Sequence, residues 1–162
     1  MKSSTPGKTA VLMGILLTGA SFSLAQEPQP GAQQPVTGTT IAAPEYKPKF
    51  PGDPARSDAE AGALGYIRTV LMAQKIYKKK HDSYATSLPG LVHSGSFTQR
   101  MTKTDRGDYS VSFHAEPKGT GFSVSLTPKQ YDPTHRAFYS DETGVIRAED
   151  NKEASENSPK VK

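Results

Sequence analysis

The 162-residue sequence contains no cysteine. This absence excludes a disulfide framework, a thiolate zinc or iron–sulfur site, a cysteine nucleophile and a lipid anchor on cysteine. Aromatic side chains are also sparse, at 8% of the residues, and long apolar runs are few. A chain of this length has room for one domain, so we expect a single small domain stabilised by an ordinary apolar core.

The first 25 residues have the pattern of a secretory signal peptide. Two lysines give a positive start, residues 10–17 form a short apolar region, and small residues precede the end of the segment. We expect cleavage after Ala25, which leaves Gln26 as the first residue of a periplasmic or extracellular protein. The apolar region is shorter than the roughly 20 residues of a membrane span, so an uncleaved anchor is the less favoured alternative.

The positive charge of the chain comes partly from this segment. Its two lysines, Lys2 and Lys8, are two of 20 basic side chains, and none of the 16 acidic ones lies within it. Removing the segment therefore lowers the net charge from +4 to +2. This small excess does not indicate a nucleic-acid-binding surface, and no nucleic-acid partner is expected.

Two stretches are predicted to be disordered. Residues 26–56 contain seven prolines, with several glutamines and glycines and only isolated apolar side chains, which predicts an extended tether. Within it, residues 45–51 fit either a proline-rich docking motif or a spacer whose two aromatic side chains touch the domain. Residues 150–162 are polar and charged and are predicted to form a disordered tail.

Residues 57–80 are predicted to form the only long helix. Ser57 and Glu60 have the spacing of a capping box, which marks the start. Lysines 78 to 80 fit the last turn, where cations are favoured; contact with an acidic partner or lipid headgroups is the alternative. Spacings of three and four residues give one apolar face, formed by Leu64, Ile67, Val70, Leu71, Gln74 and Tyr77 with Ala61 and Ala63 nearby.

Four strands are predicted after the helix. Apolar and polar residues alternate in 109–115 and in 122–127, and a turn-forming stretch joins them into a hairpin. Residues 136–140 and 145–147 form a second hairpin around a turn that ends in glycine. The serine-rich faces predict a sheet with one wet side, and the helix is available to cover the other. The expected fold of residues 57–149 is therefore α+β, with one helix on a four-stranded antiparallel sheet.

Three pieces of this sequence together resemble a known family. Residues 73–77 (AQKIY) lead to residues 84–91 (YATSLPGL), and the sheet ends with residues 136–147 (RAFYSDETGVIR). This order is similar to the globular part of type IV pilins and of type II secretion pseudopilins, over residues 58–149. The resemblance implies a pilin-like fold and a non-enzymatic structural or interaction role in a pilus or a secretion machinery.

The N-terminal part departs from the pilin pattern. Pilins have a basic leader that ends in glycine, then a phenylalanine, a glutamate at the fifth mature position and a long apolar stem helix. Here Gly7 is followed by Lys8, no acidic residue lies in the apolar run, and a proline-rich tether follows. The resemblance therefore implies the globular fold without the filament-forming stem. We expect an exported accessory module.

Metal sites are not indicated by the usual spacings. The four histidines, at 81, 93, 114 and 135, lack the i, i+4 spacing of ligands on one helix and have no carboxylate at a ligand spacing, so structural or surface roles are expected. Some pseudopilins hold calcium in a loop near their last strands, and loop carboxylates suit calcium. The candidates are Asp132, Asp141 and Glu142, although the last two are better explained as turn residues. No other cofactor is expected.

Enzyme motifs are also missing from the sequence. The serines lie outside any G-x-S-x-G pattern, and neither a P-loop nor a dinucleotide-binding fingerprint occurs. Serines 110, 112, 123 and 125 fit the polar positions of alternating strands. A small hydrolase is therefore the least favoured reading. The main alternative to an interaction module is a small extracellular domain that binds a ligand or calcium.

Overall fold

The structure is a computed structural model that describes residues 45–161. One α-helix precedes a five-stranded sheet in which every neighbouring pair is antiparallel and the spatial order follows the chain. The elements are α1 (Asp58–His81), β1 (Asp105–Arg106), β2 (Tyr109–Ala115), β3 (Phe122–Pro128), β4 (Ala137–Asp141) and β5 (Arg147–Glu149). Short 3-10 helices span Pro89–Leu91, Gln99–Thr102 and Pro117–Gly119. The predicted α+β class is confirmed.

The predicted signal peptide, its cleavage site at Ala25 and Gln26, and residues 26–44 of the predicted tether lie outside the described residues. In the part of the chain from 45 to 161, no helix combines the length and apolar character that crossing a bilayer requires.

The helix begins and ends where its capping residues predict. The Ser57 hydroxyl accepts a hydrogen bond from the backbone N–H of Glu60 at 3.1 Å. At the other end Asp82 takes the left-handed conformation, with φ 59°, and its N–H donates to the Lys78 carbonyl at 2.8 Å. Backbone groups at both helix ends are thus hydrogen-bonded. The observed helix differs from the predicted range of 57–80 by one residue at each end.

The core lies between one face of α1 and the inner face of the sheet. The central side chains of both layers are completely buried, and each contributes about 1.5–3 kcal/mol relative to exposure. They are Leu64, Ile67 and Val70 from the helix and Val124, Leu126 and Phe138 from the sheet. Leu71 and Tyr77, which were predicted for this face, are only half-buried.

A second side of the helix is covered by the loop before β1. Tyr66 is buried, and its hydroxyl donates to the Met101 carbonyl at 2.9 Å. The Arg106 guanidinium lies 4.3 Å from the centre of the Tyr66 ring, and Phe97 packs beside it. Burial raises the pKa of Tyr66 to about 12. The helix is therefore enclosed on two sides, which the sequence pattern of a single apolar stripe did not predict.

The prediction of four strands is wrong by one. β1 consists of Asp105 and Arg106, which pair with Ser110 and Tyr109 across a tight turn at Gly107. Gly107 has φ 67°, a left-handed conformation that glycine adopts without strain. A strand of two residues is too short to show an alternating pattern, so periodicity could not reveal it.

The buried carboxylate of Glu60 joins the start of the helix to the start of β4. Glu60 is fully buried, and its oxygens accept bonds from the Arg136 side chain: Nε to Oε1 at 2.9 Å and Nη2 to Oε2 at 2.7 Å. They also accept from two backbone N–H groups, of Arg136 at 2.9 Å and of Arg56 at 2.8 Å. The predicted capping box is thus half correct, since Glu60 turns to Arg56 and Arg136 instead of the Ser57 backbone.

A buried amide joins the second half of the helix to the following loop. Gln74 is completely buried and forms two hydrogen bonds with the backbone of Ala85. Its Nε2 donates to the Ala85 carbonyl at 3.0 Å, and its Oε1 accepts from the Ala85 N–H at 2.9 Å. The loop is therefore tied to the helix at this point by backbone recognition, and Ala85, Leu88 and Leu91 are buried.

The expectation of disorder after residue 149 is corrected by the structure. Residues 150–161 return to the edge of the sheet, where Pro159 accepts a bond from the Ala148 N–H and Val161 donates to the Ile146 carbonyl, both at 2.9 Å. Ser158 is buried. The prediction of disorder was based on the small number of apolar side chains in this segment. The segment is ordered instead by its backbone, because an edge strand offers unpaired N–H and C=O groups to an extended segment.

Deleting residues 157–162 is expected to expose this edge of β5. The deletion removes the two backbone bonds and the bond from Arg147 Nη1 to the Ser158 carbonyl at 2.8 Å. We expect the free energy of unfolding to fall by about 1–3 kcal/mol and the Ala148 amide to exchange hydrogen faster. Thermal unfolding and hydrogen exchange measure the two effects, with deletion of residue 162 alone as the control. Unchanged exchange at Ala148 would show that the segment does not protect the strand.

The last part of the predicted tether, residues 45–56, also contacts the domain. Tyr46 packs against the core, and its hydroxyl donates to the Asp53 carboxylate at 2.6 Å. This bond raises the pKa of Tyr46 to about 12. Asp53 accepts further from the backbone of Lys49 and Ala55, and Ala55 is buried. The expected boundary at residue 57 therefore moves to an earlier position, because one carboxylate orders this turn without an apolar run.

Candidate binding surface

The four histidines lie in four different segments of the fold. His81 ends the helix and stacks on Tyr77, with ring centres 4.2 Å apart. His93 lies in the loop after the helix, and His114 is on the exposed serine face of β2, as predicted. His135 lies in the loop before β4. Within residues 45–161, no three His, Asp or Glu side chains are placed to hold a metal ion.

The three candidate calcium ligands are not gathered at one place. Asp132 precedes β4, whereas Asp141 ends it and Glu142 follows, so the two ends are separated by roughly 13 Å of strand. Asp141 accepts bonds from the backbone and hydroxyl of Thr143, which is the geometry of a turn residue. Calcium binding stays a prediction, and a rise in melting temperature at millimolar calcium would support it.

Asp132 organises a polar turn with Thr134 and His135. Its Oδ1 accepts from the backbone N–H and the hydroxyl of Thr134, both at 2.7 Å, and His135 Nδ1 lies 2.9 Å from Oδ2. The Thr134 hydroxyl is also 3.0 Å from His135 Nδ1. A catalytic relay needs a hydroxyl and an acid hydrogen-bonded to opposite ring nitrogens. Here the Thr134 hydroxyl and Asp132 both face Nδ1, and the carboxylate on the other side, Asp108, lies 3.6 Å from Nε2, beyond hydrogen-bond distance. The cluster is arranged as a turn and not as a relay.

These hydrogen bonds lower the pKa of Asp132 from 3.8 to about 2, with the bond from Thr134 as the largest cause. In the unfolded chain the carboxylate takes up a proton at higher pH than in the folded one. Its contribution to stability is therefore complete above about pH 4 and is lost as the pH falls through about 2. We expect Asp132→Asn to flatten the decrease in melting temperature between pH 4 and pH 2. Glu153→Gln, at an exposed site, is the control, and an equal flattening there would contradict the assignment.

A groove runs between the exposed side of α1 and the turn that joins β4 to β5. Its main part is a cavity of about 910 Å³, and a smaller cavity of about 350 Å³ continues it past Arg68 and Ile146, which line both. Its apolar side chains include the two large ones that are exposed among residues 45–161, Phe50 and Met72. We call this surface the basic groove; its apolar lining is Phe50, Leu71, Met72, Tyr84, Phe122, Val145, Ile146 and Val161.

The charge of the basic groove is strongly one-sided. Five basic side chains line it against one acidic side chain, Glu142. None of the five forms a salt bridge within residues 45–161. The basic residues are Arg68, Lys75, Lys78, Lys79 and Lys160. Apolar side chains beside positive charges that form no salt bridge suit a ligand that is both apolar and acidic.

The three lysines at the end of the helix have different surroundings. Lys78 Nζ lies 4.1 Å from the centre of the Tyr84 ring, and Lys79 lines the basic groove, while Lys80 lines neither part of it. All three lie in the last turn of α1, as predicted from charge and helix ends. Two of them therefore also belong to the surface that an acidic partner would meet.

A second cleft, of about 800 Å³, lies on the other side of the helix N-terminus. Its floor includes Ala63, Met101 and Leu126. Its charged rim is balanced, with three acidic and three basic side chains: Asp58, Asp105, Asp108, Arg100, Lys103 and Arg106. Because the signs cancel, this cleft lacks the single-sign character of the basic groove.

The basic groove was not predicted from the sequence. Its helical part was visible, since Arg68, Met72, Lys75 and Lys79 recur at spacings of four, three and four and share one face of α1. The other wall comes from residues 142–146, some 70 positions later in the chain. Local patterns do not show which turn approaches which helix face, so the groove becomes visible only in the folded chain.

Comparisons with known proteins were made for the whole sequence. No protein-family model matches it, and no curated protein matches it. Among solved structures, the chain is similar to a type IV pilin from Shewanella oneidensis. The two share 23% sequence identity, over 52% of this chain and 81% of the pilin chain, with a TM-score of 0.37.

Proposed function

We propose that this protein is an exported, non-enzymatic module that acts through protein–protein contacts, as an accessory of a pilus or a secretion machinery. One observation carries the proposal. The sequence pieces that resemble pilins and pseudopilins are the pieces that fix the long helix on the sheet. These pieces therefore stabilise the fold, and the resemblance to pilins lies in residues that determine its architecture.

Two of these pieces, residues 73–77 and 84–91, meet at the end of the helix. Gln74, on the helix, holds the Ala85 backbone, and Leu88 and Leu91 are buried against the core. Tyr84 packs edge-on against Phe122, with ring centres 5.0 Å apart. The second of these pieces connects the helix to the sheet through a loop with little freedom.

The third piece is residues 136–147, which form β4, the turn and the start of β5. Arg136 at its beginning binds the buried Glu60 of the helix, and Phe138 in its middle is completely buried. The predicted second hairpin forms, with Phe138 opposite Ala148 and Tyr139 opposite Arg147, but its second strand begins at Arg147, two residues later than predicted. The piece that resembles pilins most therefore attaches the helix to β4, through Arg136 and Glu60.

Export is supported by the composition of residues 1–25, and the stemless organisation by the proline-rich stretch that follows them. A chain of this kind reaches the periplasm or the extracellular space and presents its domain on residues 26–44 as a spacer. It contributes a binding surface and does not itself build a filament.

Isolation of the protein from the cell envelope, with a C-terminal affinity tag, tests both parts of the proposal. We expect an N-terminus at Gln26 by protein sequencing and co-isolation of pilus or secretion subunits identified by mass spectrometry. An intact Met1 would contradict export with cleavage. Quantitative recovery of the exported chain as a monomer, without any such subunit, would contradict the accessory role.

A small extracellular ligand-binding domain is the second candidate. The observation in its favour is the 800 Å³ cleft beside Met101, since cavities of this size are usual for small-molecule sites. A thermal-shift screen of small molecules and calcium separates the candidates. A stabilising ligand would favour this function if its shift, measured against the melting temperature of each ligand-free protein, is lost in Met101→Ala.

A further inference from the structure

We propose that the basic groove binds an extended segment of a partner protein in which carboxylates alternate with large apolar side chains. This proposal rests on the proposed function and deepens it, because it names the surface and the chemistry of the partner. The groove has an apolar floor and a positively charged rim. The floor is complementary to apolar side chains of a partner, and the rim is complementary to its carboxylates.

The floor explains the apolar part of the partner. Met72 is 57% exposed and Phe50 is 48% exposed, at two ends of the same groove. Between them Leu71 and Ile146 contribute partly buried surface. Large apolar side chains left at the surface and grouped in one concavity mark an interaction site more often than isolated ones do.

The rim explains the acidic part. Lys75 and Lys79 lie one turn apart on the helix, and Arg68 lies two turns earlier on the same face, next to the continuation of the groove. These cations form no salt bridge among residues 45–161, whereas Lys49, Lys129 and other cations elsewhere do. Only Arg68 is near enough to a carboxylate for its charge to add to the hydrogen bond from Tyr46 in lowering the pKa of Asp53. An acidic segment would neutralise charges that the fold itself leaves unpaired.

Other occupants fit the groove less well. Residues 26–44 of the same chain carry a single acidic side chain, Glu27, and therefore cannot complement five cations. In a second copy, the acidic stretch at 149–156 is partly engaged, since Asp150 binds Arg56 and Glu149 contacts Ser158. An anionic membrane is flat, whereas the lining residues form a concave surface.

Fluorescence anisotropy with short labelled peptides tests the proposal on the purified exported chain. The probe alternates glutamate with leucine and phenylalanine; one control peptide replaces the apolar residues with serine and glycine, and another replaces glutamate with lysine. We expect saturable binding of the probe alone, weakening as salt concentration rises. Equal binding of the probe and the serine–glycine control would overturn the proposal, because charge alone would then explain it.

Variants locate the binding site. We expect the double change Lys75→Glu and Lys79→Glu to weaken binding by about tenfold or more, and Met72→Gln to weaken it by a smaller factor. Arg100→Glu with Lys103→Glu makes the same change of net charge at the other cleft and is expected to leave binding unchanged. Equal losses in both double variants would contradict the groove as the site. All these positions are exposed or at the surface, so circular dichroism should show an intact fold.

Two further results would overturn the proposal of an acidic, apolar partner segment and assign the groove to another occupant. Self-association in sedimentation experiments, abolished by the Lys75 and Lys79 changes, would assign the groove to a second copy. Binding to anionic phospholipid vesicles without binding of the probe would assign it to a membrane. The peptide assay reports on the groove alone, whereas isolation of envelope partners reports on any surface, so failure of this proposal is distinguishable from failure of the proposed function.

Discussion

Replacing Glu60 with alanine is expected to lower the free energy of unfolding by about 3–5 kcal/mol. This is the largest effect that we expect from a single substitution in this fold. Glu60 has no exposed side-chain area, and the Arg136 side chain is only 12% exposed. Without the carboxylate, the backbone N–H groups of Arg56 and Arg136 lose their acceptor, and the charged Arg136 guanidinium keeps only its hydrogen bond to the Pro54 carbonyl. For a domain of this size the melting temperature should fall by more than about 10 °C.

A double-mutant cycle distinguishes this ion pair from simple loss of packing. Arg136→Ala should also destabilise strongly, but the double variant should cost clearly less than the sum, because the unpaired charge is removed with its partner. Additive losses would show that the two side chains contribute independently. Asp58→Ala, at an exposed position two residues before Glu60, is the matched control and should change stability by less than about 0.5 kcal/mol.

Replacing Gln74 with alanine is expected to cost about 2–4 kcal/mol. The change leaves the buried N–H and C=O groups of Ala85 without partners, and each unsatisfied group costs about 1–3 kcal/mol. Gln74→Leu fills the space but restores neither bond, so it should recover only a small part of the loss. Chemical denaturation measures the stability, and Lys75→Ala on the exposed side of the same turn is the control.

The Gln74 variants should also change local dynamics. Because Gln74 ties the loop to the helix at Ala85, we expect hydrogen exchange in residues 83–92 to increase more than exchange in the sheet. Full recovery of stability by Gln74→Leu, or a uniform increase in exchange, would contradict a local role. The loop carries Tyr84, which lines the basic groove, so its position affects the binding surface directly.

Much of the fold follows from local patterns. The helix boundaries, the β2–β3 hairpin and the wet serine face are all consequences of capping and periodicity, which act over a few residues. These patterns do not predict interactions between residues that are distant in sequence, nor hydrogen bonds between backbone groups. Glu60 meets Arg136, 76 positions away, and the last residues pair through main-chain groups that composition does not record.

The binding surface was less predictable than the fold, for a related reason. The sequence indicated the last-turn lysines and gave two interpretations of them, and the structure places Lys78 and Lys79 on the basic groove. Gln74 was predicted only as a member of the apolar helix face, because a buried amide and an apolar residue occupy the same positions in a helical pattern. Neither the partner of Gln74 nor the second wall of the groove is encoded within one element.

The central claim, that the exported domain contacts a pilus or secretion machinery, is tested most directly by photo-cross-linking in intact cells. A photoreactive residue is placed in turn at Met72 in the basic groove, Arg100 in the second cleft and Ser112 on the outer face of the sheet. We expect adducts with pilus or secretion subunits in the cell envelope, most strongly from position 72. Exported protein that yields no such adduct from any of the three surfaces would contradict the account.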